Sequence, residues 1–197
     1  GKYEGPWVSY HVNGQLFSKG TYKEGKSVDG PWVSYYDNGQ LRSKYTYRDG
    51  KLEGPWVEYH DNGQLESKGN YKDGKSEGPW VYYHWNGQLK EKGTFKDGKL
   101  DGPWVSYHDN GQLWSKGTYK DGKLDGPWVG YNKDGTVNEK DTGTFKDGKK
   151  EGPWVRYSQD GTIFEKYTGT FQDGKKEGPW VSYRDNGQLW SKGTYKN

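Results

Sequence analysis

The stretch from Gly98 to Lys120 reads GKLDGPWVSYHDNGQLWSKGTYK, and it predicts the fold of the whole chain. Two segments of it, 104–108 and 112–119, are rich in aromatic and β-branched residues and are bounded by glycine, aspartate or asparagine. Such segments are typical of β-strands. Asp109-Asn110-Gly111 lies between them, and asparagine and glycine readily adopt the positive φ angles of a hairpin turn. We therefore expect this stretch to fold as a β-hairpin.

The same pattern recurs along the 197 residues. Gly-Pro-Trp occurs eight times, and every proline in the chain belongs to it. Recurrence at a fixed period is the signature of a repeat protein, in which each unit contacts mainly its neighbours. The sequence therefore predicts a single array of eight repeats of 24 to 26 residues, with boundaries at 1–24, 25–49, 50–73, 74–97, 98–121, 122–147, 148–173 and 174–197.

The composition excludes several classes of protein. Apolar residues make up only 28% of the chain, whereas glycine occurs 32 times. So much glycine argues against a helical protein. The chain also contains no run of about 20 apolar residues, which is the length that a membrane-spanning helix requires. An aromatic content of 17% argues against a disordered chain. The absence of cysteine suits both the bacterial cytoplasm and the cell surface, so composition leaves the localisation open.

Eight hairpins side by side predict the architecture. We expect an all-β protein built as an elongated, twisted, single-layer antiparallel sheet of about 16 strands. Proline has no backbone N–H, so we expect it to begin a strand. Repeats six and seven each carry two extra residues in the second strand. An even insertion should preserve the side of the sheet on which the following side chains lie.

The two-residue period of a strand assigns side chains to faces. Counted across a three-residue turn, Val105 and Tyr107 are expected on the same side as Leu113, Gly117 and Tyr119. The opposite face is expected to be variable. It should also carry a row of lysines, which are Lys19, Lys44, Lys68, Lys92, Lys116 and Lys192.

The residues offer little chemistry. The four histidines, His11, His60, His84 and His108, occupy one repeat position, where neighbours lie about 10 Å apart and cannot share a metal ion. No spacing suggests a Ser/His/Asp triad. Lysine alternates with aspartate or glutamate in the connectors, so no concentrated basic patch for nucleic acid is expected. The sequence thus predicts a protein that is not an enzyme and that has no metal, no cofactor and no nucleic-acid partner.

Aromatic residues at variable repeat positions are the remaining candidates for a binding site. One interpretation is cross-strand packing over glycines and lysine stems. The other is a platform for sugar rings or for a partner protein. Trp85 is the strongest case, because it occupies a hairpin-turn position where aspartate usually stands. The candidate partner-binding residues are Phe17, Trp85, Trp114, Phe164 and Trp190.

The repeat pattern resembles a known family. The consensus G-P-W-V-x-Y-x-x-N-G-Q-L-x-x-K-G-x-Y-K-D-G-K-x-D/E-G is similar to the MORN repeat variant family, over all 197 residues. Bacterial proteins with this variant are often labelled antitoxin-like. The resemblance implies an elongated sheet of stacked hairpins and a non-enzymatic role in scaffolding or protein interaction, with lipid binding proposed for some members. Standard repeats of the family have Gly-x-Gly where this chain has Gly-Pro-Trp.

Three functional hypotheses follow. The leading one is a non-enzymatic scaffold that binds a protein partner. The second is carbohydrate or cell-wall binding through the exposed aromatic residues. The third is a self-assembling fibre, because the open edges of a sheet can pair with another copy of the chain.

Overall fold

The protein is an all-β chain, described by a computed structural model over residues 2–27, 29–154, 168–184 and 186–196. Nineteen strands lie in these residues, and all of the observed pairings are antiparallel. The strands are β1 (Gly5–Tyr10), β2 (Leu16–Lys23), β3 (Lys26–Ser27), β4 (Gly30–Tyr35), β5 (Leu41–Arg48), β6 (Lys51–Leu52), β7 (Gly54–Tyr59), β8 (Leu65–Lys72), β9 (Lys75–Tyr83), β10 (Leu89–Lys96), β11 (Lys99–Tyr107), β12 (Leu113–Lys120), β13 (Lys123–Leu124), β14 (Gly126–Tyr131), β15 (Val137–Lys146), β16 (Lys149–Trp154), β17 (Thr168–Gln172), β18 (Lys175–Tyr183) and β19 (Leu189–Tyr195).

Sixteen of these strands belong to the eight expected hairpins. The other three, β3, β6 and β13, are two-residue strands in which a connector pairs with the strand before it. Elsewhere the connector strand continues directly into the Gly-Pro-Trp strand, as in β9. The expected class of antiparallel hairpin repeats is therefore confirmed, with the connectors adding short strands that the sequence pattern did not predict.

The strands group into two compact units, Gly1–Lys99 and Leu100–Asn197. The first unit contains the hairpins of repeats one to four, and the second contains those of repeats five to eight. A single array of eight repeats stays a prediction of the sequence.

A β-bulge in each complete hairpin corrects the expected assignment of faces. In repeat five Tyr107 pairs with Leu113, but Ser106 pairs with Ser115, so one extra residue is accommodated between the two pairs. This residue shifts the register by one position and reverses the facing of everything beyond it. Gly117 consequently pairs with Trp104 rather than lying on the side of Val105.

Each face of the sheet therefore has a different composition from the one expected. The tryptophan of the first strand, a pair of small polar residues and the second aromatic residue share one face, as Trp104 and Tyr119 do with ring centroids 6.2 Å apart. Valine pairs with lysine on the other face, as Val105 does with Lys116. The expectation that the lysines and the valines lie on opposite faces of the sheet is wrong, because it did not include the bulge.

The Gly-Pro-Trp segment forms a second irregularity, against the preceding repeat. In the pairing of β9 with β8, Glu77 lies opposite Asn70 and Val81 lies opposite Lys68. Residues 78–80 of β9 therefore lie opposite one residue of β8, Gly69. Gly78 has a φ of 73°, in the left-handed region that favours glycine. The proline was expected to begin a strand, and that is wrong for β9, where Pro79 lies inside the strand. Its missing N–H is tolerated there because a bulge interrupts the ladder.

Within each unit, this irregularity places the Gly-Pro-Trp tryptophan over the preceding repeat. The Trp80 indole covers the backbone of Gly69 so closely that a Cβ atom on that glycine would fall within 3.0 Å of the ring. The residue at the equivalent position of repeat two is Tyr45, and there the Trp56 ring stacks on the tyrosine at 4.8 Å instead. Aromatic rings also meet edge to face across the junctions, as Tyr71 and Trp80 do at 5.2 Å. The same close covering of glycine occurs at Gly20 by Trp32, Gly117 by Trp128, Gly143 by Trp154 and Gly169 by Trp180.

The two-residue insertions preserve these contacts. In repeat six Trp128 still pairs with Gly143, and the extra residues lie in an enlarged bulge between that pair and Gly130 opposite Asn138. In repeat seven Trp154 pairs with Gly169, although residues 155–167 lie outside the described part of the chain. The even insertion leaves the facing unchanged, as expected.

Candidate partner-binding surface

Four of the five candidate aromatic residues are described, and all four are exposed. Phe17 is 40% exposed, Trp114 53%, Trp190 55% and Trp85 63%. Phe164 lies outside the described residues. Exposure alone does not mark a binding site, because single exposed apolar side chains are common on protein surfaces.

Trp85 lies in the hairpin turn of repeat four. The turn is closed by the His84 amide, which donates to the Gln88 carbonyl at 2.8 Å. The Asn62 side-chain amide donates to the Trp85 carbonyl at 2.8 Å, and the Trp85 indole N–H donates to Asp61 Oδ1 at 3.1 Å. Asn62 thus holds the backbone of the turn, and the hydrogen bond that the indole donates to Asp61 restrains a ring that is mostly in solvent.

Phe17 and Trp114 lie beside histidines of their own hairpins. The Phe17 ring meets His11 edge to face at 5.0 Å, and Trp114 lies 5.8 Å from His108. Cross-strand packing over glycines and lysine stems stays a prediction of the sequence. The histidines are themselves anchored, because His108 Nε2 lies 3.2 Å from the Tyr131 carbonyl of the next repeat. Tyr36 occupies the same repeat position and donates its hydroxyl to the Tyr59 carbonyl at 2.7 Å.

Within each unit, the structure does not bring the described candidate aromatic residues together. Phe17 and Trp85 belong to repeats one and four of the first unit, and Trp114 and Trp190 to repeats five and eight of the second. Within a unit they are thus separate exposed rings rather than one aromatic platform.

A second surface, which the sequence pattern did not identify, follows from the bulged register. In each hairpin of the first unit, proline pairs with threonine or asparagine, valine with lysine, and tyrosine with leucine. Repeat three gives these pairs as Pro55 with Asn70, Val57 with Lys68 and Tyr59 with Leu65. Cross-strand partners share one face, so this face carries lysine but no carboxylate at the paired hairpin positions. The recurrence of valine and lysine was visible in the sequence, but their common face was not.

Carboxylates are held elsewhere, at the edge formed by the connectors. Glu53 accepts a hydrogen bond from the Asp73 amide at 2.9 Å, and Glu77 accepts one from the Asp97 amide at 2.9 Å. Lys51 and Lys75 lie 3.7 Å from the carboxylates of Asp73 and Asp97, respectively. The connector charges are therefore used locally, within the stack of turns.

Burial raises the pKa of four titratable groups in the first unit, Tyr36, Tyr45, Glu58 and Tyr82. Burial, assisted by the nearby Glu91 carboxylate, raises the pKa of Tyr82 to about 12. The pKa of Glu58 is raised above its usual value, mainly by burial and in second place by the nearby Glu66 carboxylate. Both residues replace serine at positions where other repeats form Ser–Ser hydrogen bonds. The pKa shifts thus have structural causes and do not indicate a catalytic pair.

Among the residues that the structure describes, neither a metal site nor a membrane-spanning helix is found. Within the described ranges, no group of three or more His, Asp or Glu side chains could hold a metal ion. Among those same residues there is no helix with the length and apolar character needed to cross a lipid bilayer.

Comparisons with known proteins agree with the repeat pattern. A family model described as MORN repeat variant matches residues 3–24, 28–49, 52–73, 76–97, 100–121 and 176–197, well over half of the chain. A second, described as MORN repeat, matches residues 142–163 and 167–179. No curated protein matches the chain significantly. The matched models describe the repeat and carry no antitoxin label. By its repeats, the chain belongs to the MORN repeat variant family.

Proposed function

We propose that this protein is a non-enzymatic scaffold that binds protein partners. MORN repeats are modules commonly found in protein-binding and scaffold proteins, and the chain is built from such repeats. Its repeats support such a role because they hold equivalent side chains at equivalent positions of successive hairpins. A partner would then be recognised by the residues that differ between repeats.

The observation that carries this proposal is the fixed and exposed Trp85 indole. Tryptophan is enriched among the residues that dominate binding energy at protein interfaces. The hydrogen bond to Asp61 restrains the ring in the free protein, so less conformational entropy is lost on binding. Trp85 therefore combines a large apolar surface with a fixed orientation.

Replacement of Trp85 by aspartate tests the proposal. Aspartate occupies the same turn position in other repeats, so Trp85→Asp is expected to fold normally. The wild-type chain, immobilised, would be used to capture proteins, and each candidate would be purified and titrated by calorimetry. We expect at least about thirty-fold weaker binding by Trp85→Asp, corresponding to about 2 kcal/mol. Asp37→Asn, at the same turn position of repeat two, is the matched control and should bind normally.

The other two hypotheses give different results in the same experiments. Retention on a cell-wall glycan column that is lost in Trp85→Asp would favour carbohydrate binding over protein binding. A mass that grows with concentration in ultracentrifugation would favour self-assembly through sheet edges. Unchanged protein binding by Trp85→Asp would exclude Trp85 as the binding site.

A further inference from the structure

A straight row of valines and lysines crosses the first unit. Lys19 pairs with Val8 in its own hairpin and with Val33 in the next, Lys44 and Lys68 repeat this arrangement, and Lys92 pairs with Val81 of its own hairpin. Each residue is the cross-strand neighbour of the next, so all eight side chains lie on one face of the sheet. The valine–lysine row consists of Val8, Lys19, Val33, Lys44, Val57, Lys68, Val81 and Lys92.

The lysines of this row have no ion-pair partner among the described residues. All four lysines are exposed, and in the part of the chain that the structure describes none of them forms an ion pair. On either side of the row lie uncharged hairpin pairs, such as Pro31 with Thr46 and Tyr35 with Leu41. The connector residue Glu77 shares this face as the partner of Asn70, and its carboxylate accepts a hydrogen bond from the Asp97 amide. The row is thus a single file of positive charges separated by small apolar groups.

The spacing of the row restricts the ligand. Neighbouring strands are about 4.8 Å apart, so consecutive lysines recur about every 10 Å. Two turns of an α-helix rise about 10.8 Å, which brings carboxylates seven residues apart close to the same spacing. Apolar side chains half-way between those carboxylates would lie over the valines. Duplex DNA, by contrast, carries a charge about every 1.7 Å of its axis, and a single file of four lysines neutralises little of it.

We propose that the valine–lysine row binds an acidic, amphipathic protein segment whose carboxylates recur about every 10 Å, with apolar side chains between them. The assignment rests on the proposed function and adds to it the face that is used and the chemistry of the partner. The carboxylates pair with the lysine ammonium groups, and the intervening apolar side chains cover the valines. Tyrosines beside the row, such as Tyr59, extend the apolar contact.

A designed peptide tests this assignment on the full chain. The probe is a fluorescein-labelled helical peptide of four seven-residue units, each with one glutamate and a leucine four positions later. A shuffled peptide of the same composition is the control ligand. Fluorescence anisotropy should show binding of the patterned peptide, at least about tenfold tighter than the shuffled one, and weakening as salt screens the charges.

Lysine variants locate the binding face. Lys44→Gln/Lys68→Gln removes two charges from the middle of the row and should weaken peptide binding about tenfold, as expected for two exposed ion pairs. Lys51→Gln/Lys75→Gln removes the same charge from the connector edge, where both ammonium groups lie near aspartates. That control should change the affinity less than about twofold. Circular dichroism would verify that both variants keep the wild-type fold.

Three results would overturn the assignment. They are equal weakening by the two double variants, equal affinity for the shuffled peptide, and tighter binding to phosphatidylserine vesicles or duplex DNA than to the patterned peptide. Failure of this assignment is distinguishable from failure of the proposed function. If a protein partner lost in Trp85→Asp still binds Lys44→Gln/Lys68→Gln normally, the row is not its site and the scaffold function stands.

Discussion

The contact between a tryptophan ring and a bare glycine backbone makes the repeat junctions sensitive to one methyl group. Gly69→Ala would place its Cβ inside the contact distance of the Trp80 ring, so the ring or the strand must move. Overpacking of this kind costs about 1–3 kcal/mol. We expect the free energy of unfolding, measured in urea, to fall by that amount.

Gly193 provides the matched control for this substitution. It occupies the same repeat position, but a Cβ atom there would meet nothing within 4 Å. Gly193→Ala should therefore leave the free energy of unfolding unchanged or raise it by up to about 1 kcal/mol, because alanine is less flexible than glycine in the unfolded chain. Equal losses in Gly69→Ala and Gly193→Ala would contradict the packing explanation.

Tyr82 gives the stability a dependence on alkaline pH. Its pKa in the folded protein is about 12, above the ordinary value of 10, so the unfolded chain loses the phenolic proton first. The contribution to stability is complete below pH 10 and is lost as the pH rises toward 12. Because the ring is half-buried, solvent screening reduces the effect to roughly 1 kcal/mol.

Tyr82→Phe isolates that contribution. Phenylalanine does not titrate, so wild type should lose about 1 kcal/mol relative to the variant between about pH 9 and about pH 11.5. The measurement is urea unfolding of both proteins at the two pH values. A constant difference between them would show that Tyr82 ionises equally in the folded and unfolded states.

At the scale of elements, two-residue Asp-Gly turns set the connection between repeats. Strands β8 and β9 are joined by Asp73 and Gly74, with φ values of 51° and 79°. These are close to the angles of a type I′ turn, whose twist matches that of the strands it joins. An aspartate tolerates the left-handed region, whereas a β-branched residue there is strained.

Substitutions at Asp73 should reflect this backbone conformation. Asp73→Val is expected to lower the free energy of unfolding by about 1–2 kcal/mol. Asp73→Asn, which also removes the carboxylate but suits the left-handed region, should change it by less than about 0.5 kcal/mol. Thermal unfolding of both variants would test this. Similar losses would instead assign the effect to the weak Lys51 ion pair.

The same elements show how far the sequence predicts the fold. Two strands per repeat and the turn between them were predictable, because aromatic and β-branched segments alternate with Asn-Gly and Asp-Gly. The facing was not, since the extra residue between the Tyr107 and Ser106 pairs leaves no mark in the pattern of residue types. Because of this one-residue shift in register, the lysines lie on the same face of the sheet as the valines. The exposure of Trp85 was predictable from its turn position, whereas its hydrogen bond to Asp61 required the stacking of turns.

For the whole molecule, the repeats make length a variable that can be changed. Deletion of residues 50–73 removes one complete repeat of 24 residues and joins Asp49 to Gly74, so the turn sequence is restored. The shortened chain brings Trp80 over Tyr45, an arrangement that Trp56 already adopts. We therefore expect it to fold.

Its stability should fall with its length. Loss of 24 residues is expected to lower the free energy of unfolding by about 1–4 kcal/mol. The urea m-value should fall by about one-eighth, because less surface is exposed on unfolding. Urea titration followed by circular dichroism measures both quantities. An unfolded product would show that the repeats are not interchangeable.

The covering of glycines such as Gly69 by an indole also gives the protein a set of intrinsic optical probes. Buried indoles such as Trp80 emit at shorter wavelengths than an indole in water, and the emission shifts when the junction opens. Trp85 is mostly in solvent, so its emission provides the long-wavelength reference within the same repeat. Variants that keep one buried tryptophan, with the others replaced by phenylalanine, would report opening at one junction at a time. The order in which the repeats separate is thus readable by fluorescence without any attached label.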